Sequence, residues 1–193
     1  MPGFRQQGQS CGAWCLAHRI ALDKGALLLQ KNFFVTLAKQ IYSQVQFADN
    51  GDATLHGFFV AQLSDPWKII KRLINEGLAP SPPKLYVPTQ PMQAFVPALQ
   101  AVTLVKGEGD VVQKDNMPQQ MGAGDSYVIC ICATLQQPPG LHYLLVRKAG
   151  GNWEVYDPNY DDLVFTPLGS APLAQNLIQG LVQYMYLGAF ILC

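Results

Sequence analysis

Cys11 stands where a glutamine-rich, glycine-containing loop, Gln6-Gln7-Gly8-Gln9-Ser10, runs into a helical pattern, so its sulfur is expected at a helix N-terminus. Unpaired backbone N–H groups and the positive end of the helix dipole favour a thiolate at such a position, and the thiolate is the nucleophilic form. An upstream glutamine amide beside the Cys11 N–H would give a developing oxyanion two donors. The same cysteine can equally be a small buried hydrophobe at a helix start, so the chemical reading needs a base from elsewhere in the chain.

The second half supplies one. His142 opens a predicted strand just after Pro138-Pro139-Gly140 and before the apolar run Leu144-Leu145-Val146. Asp157 ends the next predicted strand, in Trp153-Glu154-Val155-Tyr156-Asp157-Pro158-Asn159. A hairpin between the two strands brings His142 and Asp157 to the same edge of the sheet, where a carboxylate can accept the imidazole N–H and fix its tautomer. Cysteine, histidine and aspartate then serve as nucleophile, base and orienter. Asn159 is the alternative orienter, since an amide can also hold an imidazole. Taken singly, His142 reads as an ordinary strand histidine and Asp157-Pro158-Asn159 as an ordinary turn. His18 falls nearly two turns past Cys11 on the first helix, as a packing or surface residue. His56 has no carboxylate at a comparable strand spacing.

These residues need particular elements to position them. Trp14, Leu16, Ala17, Ile20 and Ala21 fall at helical spacing over 13–24, with Gly25 as the stop. A second helix carries Phe33, Phe34, Leu37, Ala38, Ile41 and Tyr42, with Asn32 as its cap. Ser64-Asp65-Pro66 opens a third helix with Trp67, Ile69, Ile70, Leu73 and Ile74 on one face, ended by Gly77. Residues 79–97 are proline-rich and read as a connection with a short extended piece around Leu85 to Val87. Strands are predicted at 99–105, 127–135, 141–147, 153–157 and 162–165, with 106–125 as a long polar loop. A last helix over 173–181 and a last strand over 184–192 close the chain. Helices first and antiparallel sheet second make an α+β domain, with a helical part over about 1–80 and a sheet part over about 98–193.

Composition narrows the function classes. With 193 residues the chain suits one domain. Hydrophobic residues make up 49% and charged residues 13%, with formal net charge zero, which describes a globular chain and gives no basic surface for nucleic acid or acidic lipid. The five cysteines, at 11, 15, 130, 132 and 193, form no disulfide framework: one close pair is a helical turn apart and the other alternates along a strand. Neither they nor the histidines have metal-ligand spacing, and Asp49-Asn50-Gly51-Asp52 lacks the closing glutamate of a calcium loop, so no metal or cofactor is expected. Neither a signal-peptide pattern nor an apolar run of membrane-spanning length is present. A cytoplasmic site of synthesis is expected, compatible with signal-less secretion, with a peptide or protein as substrate.

The segment Ser10-Cys11-Gly12-Ala13-Trp14-Cys15-Leu16-Ala17, followed by His142-Tyr143 on a strand and Tyr156-Asp157-Pro158-Asn159 after the next, resembles the papain-like cysteine peptidase superfamily. The nearest flavour is bacterial: double-glycine leader peptidases and papain-like effectors. The resemblance implies a papain-like fold with Cys11 as nucleophile, His142 as base and acid, and Asp157 as orienter. It also implies an oxyanion glutamine about six residues before the cysteine; Arg5 occupies that place, which leaves Gln6, or else Gln7. The implied reaction is hydrolysis of an amide or peptide bond through a thioester. Glutamine deamidation or transglutamination is the alternative on the same triad, and an inert interaction module on the same fold is the non-enzymatic one. Cell-wall amidases of the NlpC type are a more distant resemblance, since their Asp-Cys-Ser/Thr-Gly start is missing here.

Overall fold

The computed structural model describes residues 10–46, 54–55, 58–59, 64–89, 109–114, 126–134, 141–160, 162–170 and 184–193. Three helices, α1 (Cys11–Lys24), α2 (Lys31–Val45) and α3 (Pro66–Asn75), precede most of the sheet. A 3₁₀ turn, Ala26–Leu29, links the first two, and the short strands β1 (Thr54–Leu55) and β2 (Phe58–Phe59) pair antiparallel. The main sheet contains β3 (Lys84–Val87), β4 (Asp110–Gln113), β5 (Ser126–Thr134), β6 (Leu141–Ala149), β7 (Asn152–Tyr156), β8 (Thr166–Gly169) and β9 (Tyr184–Leu192), in the order β4-β3-β9-β5-β6-β7-β8.

The class is α+β, as expected, but the sheet is mixed. β3 and β4 pair parallel, from Lys84↔Asp110 to Val87↔Gln113, so part of the 106–125 segment is a strand and not loop. A parallel pair needs a long crossover, and the chain between Val87 and Asp110 provides the length. The strand expected at 162–165 is displaced to Thr166–Gly169. Residues ahead of it serve a different purpose: Phe165 is held beneath the Arg147 guanidinium, 4.2 Å from the ring centre, and beside His18. The cap of α2 is Gln30, not Asn32, because the extended Gln30 ends the 3₁₀ turn and its carbonyl takes the first helical bond from Phe34 N–H at 2.9 Å. Asn32 lies inside the first turn, its carbonyl accepting from Thr36 Oγ1. The helix expected at 173–181 and the strand at 99–105 lie outside the described residues.

Helix α3 forms where its signals stand. Asp65 caps it by accepting from Trp67 N–H at 2.8 Å, Pro66 takes the first position, and Trp67, Ile69, Ile70 and Leu73 are buried along one face. Strands β5 and β6 are apolar on both faces. Ile129, Ile131, Leu141, Tyr143 and Leu145 meet the helices, while Val128, Cys130, Cys132, Leu144 and Val146 form a second core layer on the other side. A sheet interior covered on both sides explains why these strands read as continuous hydrophobic runs without alternation.

Helix α1 runs alongside β6. Cys15 Sγ donates to the carbonyl of Tyr143 at 3.3 Å, and one helical turn earlier Cys11 Sγ lies 4.0 Å from the carbonyl of Leu141. One turn of helix rises about 5.4 Å and two strand residues about 6.6 Å, so the two elements keep step over this distance. The first residue of the helix is therefore delivered to the first residue of the strand.

Candidate active site

His142 is the second residue of β6, and its position relative to Asp157 follows from the turn between β6 and β7. Gly150 and Gly151 both have positive φ, 54° and 86°, and join Ala149 to its partner Asn152, the geometry of a two-residue hairpin. The ladder then runs to Leu145↔Tyr156. Continued in register, it would set Asn159 opposite His142 and Asp157 one diagonal step away, all on one face. The chain instead turns after β7, with Tyr160 N–H bonding to the Asp157 carbonyl at 3.1 Å. Asp157 becomes the partner: its Oδ1 lies 2.9 Å from His142 Nε2 and also accepts the Asn159 backbone N–H at 2.9 Å. Asn159 thus contributes its backbone to the aspartate that orients the ring. Asp157 Oδ2 is buried with no hydrogen-bond partner among the described residues.

The third member arrives from the helix. Register places His142 on the sheet face away from α1, with Leu144 and Val146, so ring and sulfur meet at the end of the strand. Cys11 hydrogen-bonds the imidazole and its negative charge acts on it. Because Nε2 is engaged by Asp157, the nitrogen left for the sulfur is Nδ1. Burial, the strongest single influence, disfavours the charged imidazolium, but the Cys11 charge and the Asp157 hydrogen bond together outweigh it and raise the His142 pKa to about 9. All three groups are shielded: Cys11 is 2% exposed, and the side chains of His142 and Asp157 are 3% and 2% exposed.

The helix start is bare of side-chain capping. Ser10 makes no cap hydrogen bond, and the first helical bond runs from Trp14 N–H to the Ser10 carbonyl at 3.0 Å. The N–H groups of Cys11, Gly12 and Ala13 precede any intrahelical partner. Gln6 and Gln7, the oxyanion candidates, and His56 lie outside the described residues.

The rest of the neighbourhood is packed tightly. Cys132 stands directly across the β5–β6 ladder from His142, and burial followed by the charges of Asp157 and Cys11 keeps its thiol protonated. Cys15 is held neutral in the same way. All five cysteines are free thiols, and among the described residues no group of His, Cys, Asp or Glu is placed to hold a metal ion. Among the described residues, no helix is long and apolar enough to cross a membrane. A cavity of about 420 Å³ lies beside Asp157, lined by Val155, Tyr160, Asp162, Val164 and Leu168 among others, and neither Cys11 nor His142 lines it.

His18 is a core residue. It is buried among Phe34, Tyr156 and Phe165, with Nδ1 unpaired among the described residues. Burial and then the Arg147 charge lower its pKa to about 3. The folded state therefore keeps His18 neutral where the unfolded chain binds a proton, so stability falls as pH drops from about 6.5 toward about 3. From pH 7 to pH 5 this one group is expected to remove roughly 2 kcal/mol. Urea unfolding at the two pH values checks this, with His18→Leu losing that much less stability on acidification than the wild type.

Two features were not foreseen from the sequence: the fit of Gly12 against Ser64, and the bond from the Tyr143 hydroxyl to the Ser64 carbonyl. The Ser64-Asp65-Pro66 helix start was the visible signal for the place, though not for its neighbours. No protein-family model, curated protein or solved structure matches this chain, so its functional reading rests on the geometry of Cys11, His142 and Asp157.

Proposed function

We propose that the protein is a papain-like thiol hydrolase that cleaves an amide or peptide bond through Cys11, His142 and Asp157. The observation that carries this reading is one buried imidazole hydrogen-bonded on one side by a cysteine at a helix start and on the other by a buried aspartate. The Cys11 thiolate attacks the carbonyl carbon, and the bare N–H groups of the helix start stabilise the oxyanion. The His142 imidazolium gives its proton to the departing amine, which leaves a thioester on Cys11. Neutral His142 then takes a proton from water, whose oxygen attacks the thioester and releases the acid. Asp157 holds the ring by its Nε2–H throughout.

Mass spectrometry of peptides and candidate proteins, incubated with wild type and with Cys11→Ser, tests the proposal. New termini that depend on Cys11 support hydrolysis. A gain of about one dalton at glutamine, with no cleavage, favours the deamidase alternative on the same chemistry. No Cys11-dependent product from a broad peptide library overturns the reading.

The burial of Cys11 favours a second reading, an inert interaction module on the same fold. Iodoacetamide, small and uncharged, separates the two. A reactive site alkylates Cys11 at neutral pH at least tenfold faster than Cys15, Cys130 or Cys132, as expected for a thiolate among buried thiols. Uniformly slow labelling of these four favours the module.

A further inference from the structure

Tyr143 follows His142 on β6 and is tied at both ends. Its hydroxyl donates to the backbone carbonyl of Ser64, 79 residues away along the chain, at 2.6 Å, and its own carbonyl accepts from the Cys15 thiol at 3.3 Å. Tyr143, Cys15 and Ser64 are all fully buried. Ser64 in turn abuts Gly12: a Cβ built on Gly12 would stand 2.5 Å from Ser64 Cβ and 2.7 Å from its Oγ. The neighbour of the imidazole and the neighbour of the sulfur are thus both keyed to Ser64.

We infer that Tyr143 is a positioning residue that sets the separation of the Cys11 sulfur from the His142 ring, through its hydroxyl bond to Ser64 and its carbonyl bond to Cys15. This rests on the thiol-hydrolase reading above. A strand and a helix packed through apolar side chains can slide by fractions of an ångström at little energetic cost. A directional hydrogen bond of 2.6 Å resists that slide. Burial keeps the phenol protonated, so it remains a donor at every working pH. The titratable groups facing the ring are Cys11, Asp157 and, across the ladder, Cys132.

Tyr143→Phe tests the inference because it keeps the ring and removes only the donor. Two measurements are made on the folded variant: the rate of iodoacetamide alkylation at Cys11, and the pH midpoint of the His142 ring by NMR. A misplacement of 1 Å can cost about 100-fold in rate, so a slide of a fraction of that is expected to lower alkylation on the order of tenfold. The His142 midpoint is expected to move below its wild-type value, because the sulfur that raises it stands farther off. Tyr86→Phe is the comparison. Tyr86 lies on β3, separated from β6 by β9 and β5, and is stacked on Phe190 at 4.9 Å, so that variant leaves both readouts unchanged. Cys15→Ala frees the other end of Tyr143, lowers the rate in the same direction, and provides the test if Tyr143→Phe does not fold. A wild type with His142-dependent alkylation, and a Tyr143→Phe variant that matches Tyr86→Phe in both readouts, overturns the inference alone. Wild-type alkylation that is insensitive to His142→Ala overturns the hydrolase reading and the inference together.

Discussion

His142→Ala is expected to abolish turnover, lowering kcat by roughly 10⁴- to 10⁶-fold, the loss seen when a member of a cooperating nucleophile and base pair is removed. In the proposed mechanism the ring has two tasks, protonating the departing amine and activating water, and no other described side chain is placed to take over either. Cys132, its neighbour across the ladder, is kept protonated by burial, and Asp157 reaches only the far nitrogen. The pH profile carries the same information with a sign. The proposed mechanism needs the acid form of His142 in its first step, so activity is expected to fall as pH rises through about 9, where the imidazolium is lost. In Asp157→Asn the burial that opposes the imidazolium stays, while the carboxylate charge that supports it goes. The alkaline limb therefore moves to lower pH. NMR titration of the ring in wild type and Asp157→Asn checks this independently of any substrate. A limb that stays in place would mean that Asp157 does not hold the proton on His142.

Gly12→Val is expected to be the most damaging change outside the three reacting groups. In a helix, replacing glycine by a residue with a side chain normally gains up to about 1 kcal/mol of propensity, less for a β-branched one. Here even the first added carbon would lie 2.5 Å from Ser64 Cβ, 2.7 Å from Ser64 Oγ and 2.9 Å from Ile69 Cδ1. Ser64 and Ile69 are both fully buried, so neither can swing into solvent, and overpacking of this kind costs about 1–3 kcal/mol or more. The loss exceeds the gain. Urea unfolding should show a net destabilisation of about 2 kcal/mol with an unchanged m-value, and Gly12→Ala a smaller loss. The same displacement moves the first turn of α1, so alkylation of Cys11 should slow in parallel. A Gly12→Val protein as stable as wild type would mean that α1 and the α3 entry are not in close contact.

The parts of this protein that follow local rules were legible in its sequence. Helical spacing and the Ser64-Asp65-Pro66 start place α3, because a cap, a proline at the first position and an apolar face act within one or two turns. The Gly150-Gly151 turn predicts the β6–β7 hairpin, and with it the approach of His142 to the stretch 157–159, because a two-residue turn dictates register. Cys11 at the start of α1 is legible for the same reason.

What the tertiary structure decided depends on residues far apart in the chain. Asp157 rather than Asn159 faces the ring because the chain leaves the ladder at a turn that register alone does not foretell. The parallel pairing of β4 with β3 is set by where a long crossover returns, which no pattern within either four-residue strand encodes. The place of Gly12 against Ser64, and of the Tyr143 hydroxyl on the Ser64 carbonyl, exists only once α1, α3 and β6 are packed together. Periodicity and turn chemistry act over a few residues and so select elements and their near neighbours. The distance between a sulfur and an imidazole is a sum over the whole packed core, and only the assembled core determines it.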